Sequence, residues 1–182
     1  GAAVGLPWGE EGNSEVGHLT IGSGRALFHH LPRIIISIQD GTFFQNPAFL
    51  EAAKKVKETG GKFHIMGLFS SGSVHAYIEH LYALLDFAAR EGLRNVFLHF
   101  FTDGRDAPPQ EAGKFIKQFE ERLSLKYPQA NIVSIIGRHY AMDRDEHWDR
   151  IQKTYDLLTG GVGSPYQGAA SYIEDSYKNG LT

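Results

Sequence analysis

Charged side chains follow three apolar segments of the sequence, at the points where strands would end. The segments are 63–70, 96–101 and 132–136, and the side chains that follow them include His75, Arg105, Asp106, Arg138 and Arg144. If the segments are parallel strands, their carboxyl ends share one edge of a sheet, where open α/β folds bind ligands. Guanidinium groups donate paired hydrogen bonds to phosphate and carboxylate oxygens and stay charged at every relevant pH. The sequence therefore predicts a site for a small, multiply charged anion.

A purely structural role for these charges is the alternative interpretation. Arg105 stands between Asp103 and Asp106, and a surface ion pair there would contribute roughly 0–1 kcal/mol to stability. For one loop alone this interpretation is favoured. Three strand ends with the same chemistry favour a common anion site, because a structural role gives no reason for the charges to share one edge.

His75 follows the first of these segments and is predicted in the first turn of a helix over 74–91, where free amides favour bound anions. An isolated histidine at a helix start is more often a surface residue. His75 and His80 are five residues apart, a spacing that does not place two metal ligands on one helix face. His99, inside an apolar segment, is predicted to be a buried residue with satisfied hydrogen bonds.

Ser14 lies between glycines in the first part of the chain. Flanking glycines allow a tight turn that exposes a hydroxyl, as a nucleophilic serine requires. A serine also needs activation by a base or a metal, and no partner base is evident nearby in the sequence. On composition alone, the glycine-rich residues 1–25 predict an ordinary loop.

The elements that would position these groups alternate regularly from residue 62. Strands are predicted over 62–69, 95–101 and 131–136, and helices over 74–91, 109–124, 145–158 and 168–178. Such helices are long enough to return the chain for a parallel strand. An earlier helix is predicted over 48–59, and residues 31–39 predict a helix although their β-branched run also fits a strand. The fold class is therefore α/β, with a parallel sheet flanked by helices in three layers.

Composition limits the possible functions of the 182 residues. Lysine and arginine total 18 against 21 for aspartate and glutamate, giving a net charge of -3, which offers no electrostatic footprint for nucleic acid or an anionic membrane. The chain has no cysteine, which excludes disulfides and thiolate chemistry and fits a reducing compartment. No apolar stretch reaches about 18 residues. Because the sequence does not begin with methionine, we expect a fragment.

Four strings together resemble the 2,3-bisphosphoglycerate-independent phosphoglycerate mutase family, a two-domain branch of the alkaline phosphatase superfamily. They are GNSEVGHLTIGSGR at 12–25, MGLFSSGSVH at 66–75, FTDGRDAPP at 101–109 and GRHYAMDRDEHWDR at 137–150. The resemblance extends over nearly the whole chain in the right order. It implies an isomerase that interconverts 3-phosphoglycerate and 2-phosphoglycerate through a phosphoserine intermediate.

The resemblance also implies roles for individual residues. Ser14 corresponds to the nucleophile, which in the family is also a ligand of one of two manganese ions. The family's substrate contacts fall on His75, Arg105, Asp106, Arg138 and Arg144. The arginines would clamp phosphate and carboxylate, and Asp106 would accept a hydrogen bond from a glycerate hydroxyl.

Two departures from the family pattern are visible. The family usually has SDGGVHSH where this chain has SSGSVHAY at 70–77, so an aspartate, a glycine and a second histidine are replaced while His75 is retained. His139 stands where a tyrosine is common.

The family's aspartate and histidine metal ligands correspond to nothing in this sequence. Residues 1–25 are therefore expected to belong to a metal-binding, phosphatase-like domain. Residues 26–182 are expected to form a single inserted substrate-binding (phosphotransferase) domain, incomplete at its C-terminal side. The fragment alone is expected to bind no manganese and to be inactive.

The expected partners are 2- or 3-phosphoglycerate and the missing metal-binding domain of the same chain, with no nucleic acid and no membrane, in the cytoplasm. A stand-alone module that binds phosphoglycerate or another small anion is the alternative. A third possibility is a phosphatase-like relative whose substrate was changed by the altered residues 71–77.

Overall fold

In a computed structural model, residues 4–6 and 12–180 are described and form eight α-helices and three β-strands. The helices are α1 (Ser14–Ser23), α2 (His30–Asp40), α3 (Pro47–Thr59), α4 (Ile78–Arg90), α5 (Ala112–Lys126), α6 (Arg138–Ala141), α7 (Trp148–Gly160) and α8 (Ala169–Lys178). The strands are β1 (Phe63–Phe69), β2 (Val96–Thr102) and β3 (Ala130–Gly137). None of these helices combines the length and the apolar character needed to cross a membrane.

The chain divides into two compact units, Gly1–Ala52 and Ala53–Thr182, and the boundary between them falls within α3. Residues 1–3 and 7–11 of the predicted serine segment, and residues 181–182 at the other end, lie outside the described residues. The predicted domain boundary after residue 25 stays a prediction, because compactness does not test which domain of a larger enzyme a segment serves.

The prediction that residues 1–25 are loop is wrong for Ser14–Ser23, which form α1. The Asn13 side chain caps this helix by accepting a hydrogen bond from the Val16 amide at 3.1 Å, and Gly24 ends it in the left-handed conformation. Capping at both ends outweighs the low helix propensity of Gly17 and Gly22. The prediction of a helix near 31–39 is confirmed by α2, as is the helix near 48–59 by α3.

The three strands form a parallel sheet in the order β1-β2-β3. Helix α4 connects β1 to β2, and α5 connects β2 to β3, so each connection is a crossover of the kind that parallel pairing requires. This arrangement confirms the predicted α/β fold with a parallel sheet flanked by helices. The register also determines where the strands end. Phe69, Thr102 and Gly137 are aligned as partners, so the carboxyl ends of the three strands lie side by side.

Aromatic side chains from β1, β2 and α5 form one part of the core. The Phe69 ring stacks on Phe100 with centroids 4.3 Å apart, and Phe119 of α5 packs edge-on against both rings. All three residues are at most 3% exposed. Such packing is strongly stabilising and holds the strand ends in fixed relative positions.

A row of polar side chains crosses the three strands within the sheet. His99 Nδ1 lies 2.7 Å from Ser134 Oγ on β3, and His99 Nε2 lies 2.8 Å from His64 Nδ1 on β1. His99 is buried, and burial, aided by the charge of His64, lowers the pKa of His99 below its usual value. The prediction of a buried, satisfied histidine at position 99 is confirmed.

Candidate functional site

The aligned carboxyl ends of the three strands open into a charged cleft of about 800 Å³. All five residues predicted to bind substrate line it: His75, Arg105, Asp106, Arg138 and Arg144. His75 follows β1, Arg105 and Asp106 follow β2, and the two remaining arginines follow β3. The structure therefore brings together the side chains that the spacing of the strands predicted at one edge.

Helix α4 begins at Ile78, not at residue 74. The prediction that His75 stands in the first turn of a helix is therefore wrong, and His75 belongs to the segment that joins β1 to α4. Its Nε2 lies 3.9 Å from Asp106 Oδ2, and its side chain is 44% exposed. His75 thus stands beside a carboxylate from the next strand end, and not at a helix N-terminus.

Asp103 organises the turn that follows β2, residues 103–106, which we call the Asp103 turn. Its Oδ1 accepts hydrogen bonds from the amides of Gly104, Arg105 and Asp106 at 2.7, 2.8 and 3.1 Å. Its Oδ2 accepts a hydrogen bond from the Ser70 hydroxyl at 2.7 Å, and the side chain is only 1% exposed. Burial alone would raise the pKa of Asp103, but the Arg105 amide, the Ser70 hydroxyl and the other amides outweigh burial and hold the pKa far below its usual range.

Arg138 is held by two carboxylates of the Asp103 turn. Its Nη1 lies 3.0 Å from Asp103 Oδ1 and 2.5 Å from Asp106 Oδ2, with 14% of the side chain exposed. Burial favours the neutral guanidinium, yet the hydrogen bonds to Asp106 and Asp103 raise the pKa of Arg138 above its usual value. Arg138 therefore enters the cleft with a fixed orientation and with its charge compensated.

Asp143 organises a second turn, residues 143–147, which we call the Asp143 turn. Its Oδ1 accepts hydrogen bonds from the amides of Asp145 and His147 at 3.1 and 3.0 Å, and its Oδ2 pairs with Arg150 Nη1 at 2.9 Å. Although burial acts in the opposite direction, these bonds, first those from the His147 and Asp145 amides, lower the pKa of Asp143 to about 2. Glu146 in this turn has a φ of 65°, which non-glycine residues rarely adopt.

Two arginines of the cleft have no carboxylate partner. The Arg105 and Arg144 guanidinium groups are exposed and make no hydrogen bond or ion pair among the described residues. Surface pairing of Arg105 with Asp103 or Asp106, the alternative interpretation of the sequence, is therefore wrong, because both carboxylates bind the Arg138 side chain instead. The cleft thus offers two free guanidinium groups to an anion.

Asp106 also keeps an acceptor available in the cleft. Its Oδ2 faces Arg138 and His75, while its Oδ1 has no hydrogen-bond donor among the described residues. The side chain is 17% exposed. This carboxylate oxygen can therefore accept a hydrogen bond from a hydroxyl of a bound molecule.

Sequence reasoning placed Asp103 and Asp143 among the charges at the strand ends but missed that they order the turns, and it missed Ser70 and Arg150 as contributors to the site. The signal for the two aspartates was available, because an aspartate at the start of a turn commonly accepts the amides that follow it. The pairing of Arg150 with Asp143 spans seven residues and depends on the path of the turn, so spacing alone does not indicate it.

Ser14 lies in the first turn of α1, in the first unit of the chain, and is exposed. Its Oγ lies 3.4 Å from His18 Nδ1, which is also 2.6 Å from the Ser14 carbonyl oxygen. The sequence reasoning missed this nearby imidazole, which the i, i+4 spacing within a helix would have indicated. The short contact to the carbonyl oxygen makes Nδ1 a donor, so in this arrangement His18 orients Ser14 and does not accept its proton.

No group of three or more histidine, aspartate or glutamate side chains in the described part of the chain is placed to hold a metal ion. Ser14 is the residue that the resemblance assigns to a metal, and its surroundings in α1 offer no set of ligands. The residues described here therefore do not by themselves fit the implied manganese site.

Comparison with known proteins identifies a family. A family model described as the BPG-independent PGAM N-terminus matches residues 34–182. The chain is 46% identical over its full length to a 2,3-bisphosphoglycerate-independent phosphoglycerate mutase from Syntrophotalea carbinolica and 48% identical to one from Moorella thermoacetica. It spans 35% of the length of each of these curated relatives.

A solved structure has the same fold. The chain resembles a phosphoglycerate mutase from Leishmania mexicana, crystallised at low cobalt concentration, with a TM-score of 0.85 and 28% sequence identity. The likeness covers 98% of this chain and 34% of that one. The fold described above is thus the fold of one part of a larger protein in this relative.

Proposed function

The chain belongs to the BPG-independent PGAM N-terminus family, and we propose that it is the part of such a mutase that holds 2- or 3-phosphoglycerate. The observation that carries the proposal is the pair of unpartnered guanidinium groups, Arg105 and Arg144, in a cleft whose other arginines are compensated by carboxylates. A phosphoglycerate carries two anionic groups, a phosphate and a carboxylate. Two free guanidinium groups match that charge distribution.

The neighbouring groups suit the remainder of the substrate. Arg138 is fixed by Asp103 and Asp106 and still has donors directed away from its Nη1 contacts. Asp106 Oδ1 is available for a glycerate hydroxyl, and His75 stands beside the same carboxylate. Bound in this way, the glycerate would stay in the cleft while it reorients between the two phosphoryl transfers.

In the proposed reaction, the Ser14 oxygen attacks the phosphorus of 3-phosphoglycerate, and the bond from phosphorus to the 3-oxygen breaks. The 3-oxygen takes up a proton in place of the one that the Ser14 hydroxyl loses, and the glycerate reorients in the cleft. The 2-oxygen then loses its proton and attacks the phosphoserine. The bond from phosphorus to the Ser14 oxygen breaks, that oxygen regains a proton, and the product is 2-phosphoglycerate. The sum is an isomerisation with no net gain or loss of atoms.

The family resemblance implies two manganese ions, which would lower the pKa of the serine hydroxyl when bound. The described residues do not form their site, so we propose that a metal-binding domain elsewhere in the full-length protein holds them, with Ser14 as one ligand. On this proposal the 182-residue chain binds substrate without turning it over. We also propose a cytoplasmic location, in keeping with the absence of cysteine.

Arg144→Ala tests the substrate cleft. Loss of a charge-assisted contact to the anion is expected to weaken 3-phosphoglycerate binding about tenfold or more, while the melting temperature stays nearly constant because Arg144 is exposed and unpaired. Isothermal titration calorimetry of the purified chain measures the affinity. Arg138→Ala is less informative, because it also breaks two ion pairs.

Arg94→Ala is the matched control. Arg94 is exposed and lies just before the amino end of β2, whereas the cleft lies at the carboxyl end of that strand. The substitution removes the same charge and is expected to leave the affinity within about twofold of the parent chain. No binding of 3-phosphoglycerate by the parent chain, or equal loss in both variants, would contradict the proposed cleft.

A further inference from the structure

Ser70 connects the ends of the first two strands without lining the cleft. It directly follows β1, is 3% exposed, and is not among the cleft residues. Its Oγ donates to Asp103 Oδ2 at 2.7 Å and accepts from the Gly72 amide at 2.9 Å. One hydroxyl therefore links the segment that carries His75 to the turn that carries Arg105 and Asp106.

We propose that Ser70 is a positioning residue for the anion cleft, acting through Asp103 on one side and through the segment 71–75 on the other. The inference rests on the proposed function, because it assigns to Ser70 the preorganisation of that same cleft. It adds a residue that contacts neither substrate nor metal.

The first path runs through the carboxylate of Asp103. The amides of the Asp103 turn and Arg138 occupy Oδ1, so Ser70 is the donor that holds Oδ2 among the described residues. Without this bond, one oxygen of a buried carboxylate loses its partner, a costly situation that rotation of the carboxylate would relieve. Rotation would disturb the amides and the guanidinium bound to Oδ1.

The second path runs through the backbone at Gly72. A Cβ built on Gly72 would lie 2.7 Å from the Asp106 carbonyl oxygen, so the backbones of the two segments approach closely at this position. The hydrogen bond from the Gly72 amide to Ser70 Oγ keeps the chain on this path. The same hydroxyl thus sets where His75 stands relative to Asp106.

Ser134 supplies a matched control for the test. It is also a buried serine, 7% exposed, whose Oγ makes a 2.7 Å hydrogen bond to a side chain on the neighbouring strand β2. It lies outside the cleft. Replacing either serine by alanine removes one buried hydroxyl, so both variants are expected to lose stability, and Ser70→Ala is expected to lose more because its hydroxyl also binds a carboxylate.

The experiment compares Ser70→Ala and Ser134→Ala in the full 182-residue chain, with 3-phosphoglycerate as the probe. Calorimetry is expected to show affinity about tenfold weaker for Ser70→Ala and changed by no more than about twofold for Ser134→Ala. In ¹H–¹⁵N spectra, the amide signals of Gly104, Arg105 and Asp106 are expected to shift only in Ser70→Ala. A purely structural role would affect stability in both variants and affinity in neither.

Three outcomes decide the matter. Equal affinity of Ser70→Ala and the parent chain overturns the positioning role and leaves the proposed function intact, whereas absence of binding in the parent overturns both. If Ser70→Ala does not fold, Ser70→Cys replaces it, since a thiol of similar shape is a weak donor and acceptor. Unchanged affinity in Ser70→Cys would also overturn the role.

Discussion

The Asp103 turn and the Asp143 turn are each ordered by one aspartate, but the partners of the two aspartates come from different parts of the chain. In each, a largely buried carboxylate accepts the amides that follow it, binds an arginine, and leaves a second, unpaired arginine in the cleft. The partners of Asp143 lie within seven residues of it along the chain. Asp103 instead binds Ser70, which follows β1, and Arg138, which follows β3.

The Asp143 turn therefore orders one segment, whereas the Asp103 turn couples neighbouring strands. The Asp143 turn shapes its own segment, including the left-handed Glu146. The Asp103 turn ties together all three strand ends, so a change at Asp103 reaches His75, Arg105 and Arg138 at once. Equal changes at the two aspartates should therefore have unequal consequences.

Asp103→Asn is expected to have the largest effect. Loss of a buried charge partner of Arg138 should lower the free energy of unfolding by about 3 kcal/mol and weaken 3-phosphoglycerate binding about tenfold. Removing a negative charge would by itself favour an anion, so weaker binding would mean that position matters more than charge. Urea unfolding and calorimetry measure the two quantities.

Asp143→Asn is the control, because it removes the same charge beside the same cleft. Its loss of stability and of affinity should be clearly smaller, since its bonds stay within one segment. If Asp143→Asn equals or exceeds Asp103→Asn in both quantities, the distinction between the two turns is wrong.

Gly72→Ala should cause the next largest loss of stability. The substitution disturbs the Asp103 turn and leaves the Asp143 turn unchanged. The added Cβ would lie 2.7 Å from the Asp106 carbonyl oxygen, and relieving such a contact with backbone typically costs about 1–3 kcal/mol. Gly104→Ala is matched, because nothing lies within 4 Å of its added Cβ. Thermal unfolding should separate the variants, and equal midpoints would argue against the close approach.

Acid should reveal the smallest difference. Both aspartates have a folded pKa below the ordinary value of 3.8, about 2 for Asp143 and lower still for Asp103. The unfolded chain then binds more protons, so the stability they contribute is complete above about pH 4 and is lost as pH falls through the folded values. Urea unfolding at a series of pH values measures how the free energy of unfolding decreases as pH falls. This decrease should be less steep in Asp103→Asn than in Asp143→Asn. The reverse order would contradict the assignment.

The sheet and its site edge could be predicted because strand and helix patterns are local. The apolar runs that became β1, β2 and β3 and the helical spacing between them determine a parallel sheet, and a parallel sheet brings the strand ends together. The convergence of His75, Arg105 and Arg138 on one cleft follows from that topology alone.

The remaining features depend on side-chain capping and on contacts distant in sequence. Helix α1 forms because Asn13 and Gly24 cap it, although its glycines favour a loop. The segment before α4 bends at Ser73–His75, and the helix begins only at Ile78, so His75 lies outside it. The buried carboxylate of Asp103 binds Arg138 and not the adjacent Arg105. This pairing joins residues 35 positions apart and depends on the folded geometry.

The polar row of His64, His99 and Ser134 has a consequence for the placement of protons. His99 makes a hydrogen bond at each ring nitrogen, and a neutral imidazole has one donor and one acceptor. Reversing the tautomer of His99 therefore requires the Ser134 hydroxyl and the His64 ring to exchange their donor and acceptor roles as well. The uncharged row therefore has two proton arrangements of opposite polarity. The three side chains, one from each strand, must change between these arrangements together.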